Sequence, residues 1–176
     1  MVGKILVAVD GSQHTKDTMQ KAIDTANKDG AELLIVHVAT PHVLSTEELE
    51  YAEKRCGEKF KNLIRGDYLP AFQTEDKSER KYIGEYVKAR EIFQKVYGDD
   101  ILKRASEQAE EAGLTGTSTL LETGDVAKVV LDVAKKHDVD LIVVGRHGHG
   151  RIAEFFLGSI AQKILQHTDR SVLAVE

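Results

Sequence analysis

Residues 141–160 read Leu141-Ile142-Val143-Val144-Gly145-Arg146-His147-Gly148-His149-Gly150-Arg151-Ile152-Ala153-Glu154-Phe155-Phe156-Leu157-Gly158-Ser159-Ile160. A short apolar run gives way to a glycine-rich loop and then to a helical pattern carried by Phe156, Ile160, Ile164 and Leu165. The run is continuous rather than alternating, which suits a parallel strand buried on both faces. Four more such runs occur, at Ile5–Val9, Leu33–Val38, Thr117–Leu121 and Val172–Val175. Helical patterns lie between them. Ser12 can cap one that carries Met19, Ala22, Ile23 and Ala26 and stops at Gly30. Ile101, Leu102, Ala105, Ala109 and Ala112 mark another, with Gly113 at its C′ position. Asp125 can cap a third that holds Val129, Val130 and Val133. Strands and helices alternate, so the chain is expected to form an open, doubly wound, five-stranded parallel α/β sheet flanked by helices.

Such sheets hold ligands outside the carboxyl ends of their strands, where the winding reverses. The loops to inspect are therefore Asp10-Gly11-Ser12, after strand one, and Gly145–Gly150, after strand four. Glycines let backbone N–H groups approach a ligand closely, and a helix start adds free donors and a positive dipole end. A phosphate site and a plain strand-to-helix connection both fit the second loop on these grounds. Two common nucleotide motifs are missing. No GxxxxGK[ST] is present, and no GxGxxG follows strand one.

Composition narrows the function further. The 176 residues suit one domain, and 41% hydrophobic content with 2 Pro argues against disorder. The formal net charge of -5 disfavours a nucleic-acid partner. The single cysteine, Cys56, excludes an intramolecular disulfide framework and a Cys-rich zinc site. Met1–Lys4 run straight into strand one, and no apolar run reaches the ~18 residues of a membrane span. A cytoplasmic protein with no membrane and no nucleic-acid partner is expected. His147 and His149 form an HxH pair, but no Cys or carboxylate cluster accompanies them, so no metal site is expected. His37 and Cys56 are read as packing residues, and Arg146 and Arg151 as charges beside the loop.

The spacing Gly145-x2-Gly148-x9-Gly158-Ser159 resembles the G-2x-G-9x-G-[S/T] signature of ATP-binding universal stress proteins. The opening Lys4–Ser12, the segment Val36-His37-Val38, Gly124-Asp125 and the terminal Ser171–Val175 resemble that family too, so the likeness covers about 1–40 and 99–176. The resemblance implies strand order 3-2-1-4-5, which makes strands one and four neighbours. It implies that Asp10 meets the ribose or lies beside the nucleotide, that Val38 contacts adenine through its backbone, and that Val144 and Gly145 flank adenine and ribose. It further implies that Gly148, Gly158, Ser159 and the Ile160 N–H cradle the phosphates of ATP, or of AMP or ADP. A divalent Mg2+ or Mn2+ ion held by those phosphates is also implied.

Eight of the ten aromatic residues fall between Tyr51 and Tyr97. Leu49, Ala52, Cys56, Phe60, Leu63 and Ile64 fit one helical face. Tyr82, Ile83, Tyr86, Val87, Phe93, Val96 and Tyr97 fit another, with Leu69-Pro70 as the break. Residues 1–176 are thus expected to form a single domain with a helical insertion at about 41–97, longer than the family resemblance leads one to expect. The insertion either packs on its own protomer or serves as a lid or a protein-docking surface. The last strand leaves an open sheet edge, and the resemblance implies a homodimer through it. No general base with an orienting partner stands near the glycine loop, so no catalytic residue is assigned. The expected function is an ATP- or AMP-binding regulatory protein of the stress response, whose nucleotide occupancy controls conformation or the binding of a protein partner. A slow ATPase or other nucleotide-hydrolysing enzyme, and an interaction module with an empty site, are the alternatives.

Overall fold

The structure, a computed structural model, describes residues 2–63, 79–146 and 158–176. Five strands form one sheet: β1 (Lys4–Ala8), β2 (Glu32–Ala39), β3 (Thr117–Thr123), β4 (Leu141–Gly145) and β5 (Ser171–Val175). Their order is β3-β2-β1-β4-β5 and every pairing is parallel, as expected. The described helices are α1 (Thr15–Asp29), α2 (Thr46–Cys56), α3 (Glu58–Leu63), α4 (Glu79–Glu111), α5 (Val126–Lys136) and α6 (Ser159–His167).

The sheet is buried by alternation. Side chains of successive strand residues point to opposite faces. Leu6, Leu34, Val36, Val38, Ile142 and Val144 share a core with Ala127, Val130, Val133 and Ala134 of α5 and with Ala161 and Ile164 of α6. Ile5, Val7, Leu33, Ile35 and Val143 point the other way and are fully buried. On that face α1 lies against β1, β2 and β4 with Met19, Ala22, Ile23 and Ala26 inside. The central strands thus follow the pattern of a two-sided core, while β3 and β5, at the edges, keep several half-exposed or exposed positions.

Helix ends agree with the sequence where backbone chemistry is local. Asp125 caps α5 by accepting from the Lys128 N–H at 2.9 Å. Gly113 takes φ 82°, and Leu114 N–H reaches back to the Ala109 carbonyl at 3.1 Å. Ser12 does not cap α1. The helix starts at Thr15 with His14 at the N-cap, because a turn organised by Asp10 takes up residues 10–14. On α6 the buried positions are Ala161 and Ile164, whereas Ile160 and Leu165 are 42% and 45% exposed. Phe156 and the Leu69-Pro70 break lie outside the described residues.

The chain divides into two compact units, Met1–Thr40 with Gly98–Glu176, and Pro41–Tyr97. The second unit has its own core of Leu44, Ala52, Phe60, Ala89 and Phe93, flanked by Leu49, Tyr51, Cys56, Leu63, Ile92 and Tyr97. Phe93 stacks on Tyr97 at a centroid distance of 5.3 Å, and Tyr51 meets Tyr97 edge-on at 5.5 Å. The Tyr86 hydroxyl oxygen accepts the Leu44 N–H at 2.7 Å. These aromatic side chains therefore fill a small core of their own unit. Two features differ from the sequence reading. Gly57, at φ 65°, ends α2, so Leu49–Leu63 is two helices rather than one. A single 33-residue α4 replaces two separate helices on either side of Gly98.

Candidate functional site at the carboxyl ends of β1 and β4

The winding reverses between β1 and β4, which pair from Ile5↔Leu141 to Val7↔Val143. Their carboxyl ends lead into the two loops the sequence singles out. After β1, the Asp10 carboxylate oxygen Oδ1 accepts the Ser12 N–H at 2.9 Å and the Thr15 hydroxyl at 2.9 Å. Thr15 Oγ1 in turn accepts the Gly11 N–H at 3.0 Å. Residues 10–15 are thereby tied into one compact turn with Asp10 at its centre. Ser12 Oγ is buried and finds no hydrogen-bond partner among the described residues.

The exit of β1 is held from the other side by β2. Val9 N–H donates to the Val36 carbonyl at 2.9 Å, and His37 Nδ1 lies 2.8 Å from the Val9 carbonyl. A carbonyl only accepts, so this ring nitrogen carries the proton. His37 is 7% exposed. It packs, as expected, but it also fixes the residue immediately before Asp10. Val38 sits one step further along β2, opposite Glu122 of β3, with its side chain in the core shared with Val144.

After β4, Arg146 N–H donates to the Val175 carbonyl of β5, and its guanidinium lies 3.1 Å from Glu176 Oε1. Gly158 N–H donates to the Arg146 carbonyl at 2.8 Å. That bond places the start of α6 directly beside the end of β4. Gly158 is the N-cap of α6 and offers no side-chain cap. The first N–H groups of a helix lack intrahelical partners, and those of Ser159, Ile160 and Ala161 meet none among the described residues. Val144 and Gly145 end β4. The structure thus gathers Asp10, Val144, Gly145, Gly158, Ser159 and Ile160 at one end of the sheet. Gly148, with His147, His149 and Arg151, lies outside the described residues.

The chemistry of the two loops is complementary. Asp10 presents a carboxylate, which accepts hydrogen bonds from hydroxyl or N–H donors. The start of α6, whose first N–H groups meet no partner among the described residues, presents donors and the positive end of a helix dipole, which suit an anion. A ligand with a hydroxyl-bearing half and an anionic half matches that pair. Among the described residues no group of three or more His, Cys, Asp or Glu side chains could hold a metal ion. No described helix is long and apolar enough to cross a membrane. A shallow cleft of about 230 Å³ opens at the opposite end of the sheet, between Gly30 and Gly116, away from both loops.

Fold and site together define an open, doubly wound α/β protein with an Asp10 turn and a helix start following the two neighbouring strands between which the winding reverses. The chain belongs to the universal stress protein family, whose sequence profile matches residues 1–176. The match therefore spans the middle segment as well as both ends. Universal stress protein Sll1388 of Synechocystis sp. is 31% identical over 176 residues, covering 99% of this chain and 97% of its own. Among solved structures, a universal stress protein in complex with cAMP is similar at TM-score 0.59 and 19% identity, covering 99% of this chain and 97% of that one. The universal stress protein of Archaeoglobus fulgidus in complex with dAMP is similar at TM-score 0.57 and 17% identity, over 100% of both chains.

The contacts by which Thr15 and His37 hold the Asp10 turn and the residue before it were not readable in the sequence. Both roles come from contacts made after folding. A weak signal existed for Thr15: an Asp ending a strand, with a hydroxyl residue five positions on at the helix start.

Proposed function

We propose that this chain is a cytoplasmic ATP- or AMP-binding regulatory protein of the stress response, in which nucleotide occupancy controls conformation or the binding of a protein partner. One observation carries the reading. The Gly158–Arg146 backbone bond sets an uncapped helix start next to the strand end that leads out of β4, on the strand neighbouring the Asp10 turn. The relatives solved with cAMP and with dAMP support an adenine nucleotide as the ligand class.

In this reading Asp10 accepts from the ribose hydroxyls, and the Val38 backbone and Val144 border adenine. Gly145 lies beside the ribose. Gly148, Gly158, Ser159 and the Ile160 N–H take the phosphates. The donor set fits: free helix N–H groups neutralise part of a phosphate charge without a cationic side chain. An Mg2+ or Mn2+ ion would be held by the phosphates and would add charge compensation there. A ligand shifts a conformational equilibrium only by its difference in affinity for the two states, so regulation requires the apo and bound states to differ in partner affinity.

The test is mass spectrometry of nucleotide released from denatured pure protein, prepared with and without Mg2+ or Mn2+. Recovery of ATP or AMP, with added ATP unchanged over hours, is the expected outcome. Turnover of ATP to ADP would assign a slow ATPase instead. No recovered nucleotide and no binding of added ATP would leave an interaction module with an empty site.

A further inference from the structure

We propose that Thr15 is a positioning residue for ligand recognition, acting through Asp10; the inference builds on the reading of Asp10 as the residue that meets the ribose. The hydrogen bonds leave no choice in their direction. The Gly11 N–H can only donate, so Thr15 Oγ1 accepts there, at 3.0 Å. The hydroxyl has one proton, and it goes to Asp10 Oδ1 at 2.9 Å. The same oxygen accepts the Ser12 N–H at 2.9 Å. Two donors from fixed positions, one on the turn and one on the first residue of α1, brace one oxygen of the carboxylate. The Thr15 hydroxyl is thus a relay: it fixes the carboxylate and, at the same time, the backbone of the glycine between them.

A carboxylate held in this way is prepaid in conformational entropy. Ordering a side chain on binding carries an entropic cost, and the Thr15 clamp places that cost in folding. Removal of the hydroxyl takes one of these two donors from Asp10 Oδ1 and leaves the Gly11 N–H without its Thr15 acceptor. The effect belongs to the half of the ligand that Asp10 meets. It should therefore fall on recognition of the sugar and spare the phosphate half.

The experiment measures affinity of the full chain for ATP and for 2′,3′-dideoxy-ATP in wild type, Thr15→Val, Thr15→Ser, Asp10→Asn and the double variant Thr15→Val with Asp10→Asn. Wild type is expected to prefer ATP. Thr15→Val should lose about two- to tenfold in ATP affinity, the scale of ordering one side chain on binding, with little loss for the dideoxy analogue. Thr15→Ser, which keeps the hydroxyl, should restore the preference. Thr15→Val combined with Asp10→Asn should cost less than the two effects added, because both act on one contact. Equal losses for both nucleotides, or additive losses in the double variant, would overturn the inference and make Thr15 a structural residue. If Asp10→Asn lowers the preference for ATP and Thr15→Val does not, the inference fails while the Asp10 reading stands. If wild type shows no preference for ATP, the Asp10 reading fails and the inference with it. Thermal melts of each variant separate loss of fold from loss of recognition, and Thr15→Ala, which also removes the hydroxyl, covers the case in which Thr15→Val does not fold, with the same outcomes expected of it.

Discussion

Two aspartates do opposite work at the two ends of the β1–β4 seam. At the carboxyl end Asp10 organises the turn of the candidate site. At the amino end Asp140 Oδ2 accepts the Gly3 N–H at 2.8 Å and the Lys4 N–H at 2.9 Å. The Gly3 bond, then the Lys4 bond, hold its carboxyl below the ordinary value of 3.8, aided by the Arg170 charge. A carboxyl depressed in the folded state stabilises the fold above its unfolded pKa, and that contribution is lost as pH falls through the folded value. Asp140→Asn should therefore lower the melting temperature at pH 5–7, and the gap to wild type should close as pH drops below 3.8. A gap that stays constant from pH 7 to pH 2 would show that charge has no part in it. Nucleotide affinity should not change, since Asp140 lies at the far end of the strands. The places of Asp10 after β1, of Gly158 at the start of α6 and of Asp125 at the cap of α5 were readable in the sequence, because a strand end, a glycine spacing and a helix cap are local patterns. The contacts of Thr15 and His37 were not, because their partners are known only after the turn and the β1–β2 pairing have formed.

At the scale of elements, α4 shows where sequence reading stops. Its buried residues run Tyr86, Ala89 and Phe93, then Ile101, Leu102, Ala105 and Ala109, one stripe for each unit. The two stripes, with Gly98 between them, read as two helices, since a glycine inside a helix costs about 0.5–1 kcal/mol relative to alanine. The reason for Gly98 is tertiary. A Cβ at this position would press on Leu121 and come within 3.1 Å of His37 Cδ2. The helix approaches the β2–β3 surface too closely there for a side chain. Gly98→Val should destabilise the protein by about 1–3 kcal/mol, the usual cost of overpacking, read as a lower urea midpoint at unchanged slope. A variant as stable as wild type would mean that Leu121 and His37 move aside freely. Asp125→Ala should cost about 1 kcal/mol through loss of the α5 cap, measured in the same titration. The α2 start was readable and missed: Ser45 and Glu48 form a capping box, with bonds of 3.2 Å and 2.7 Å.

For the whole molecule, the alternation of apolar runs was enough to define a parallel α/β sheet, and the glycine spacing was enough to point to the family. Strand order came through the resemblance, because no local pattern says which strands are neighbours. The aromatic-rich middle was visible as a change of composition, and its described aromatics turn out to build a core within residues 41–97. β5 pairs on one side with β4 and stands at the edge of the sheet, with Val172, Leu173 and Ala174 half-buried. An open edge favours pairing with a second copy. A homodimer is therefore expected at micromolar concentration by sedimentation or light scattering, and a monomeric mass there would refute it. The central claim is that an adenine nucleotide binds where the winding reverses. Amide chemical-shift mapping of the full chain during an ATP titration tests it most directly. The expected result is a set of shifted amides at Asp10–Ser12, Val38, Val144–Arg146 and Gly158–Ile160. Shifts gathered instead around Gly30 and Gly116 at the opposite end of the sheet, or none at saturating ATP, would contradict it.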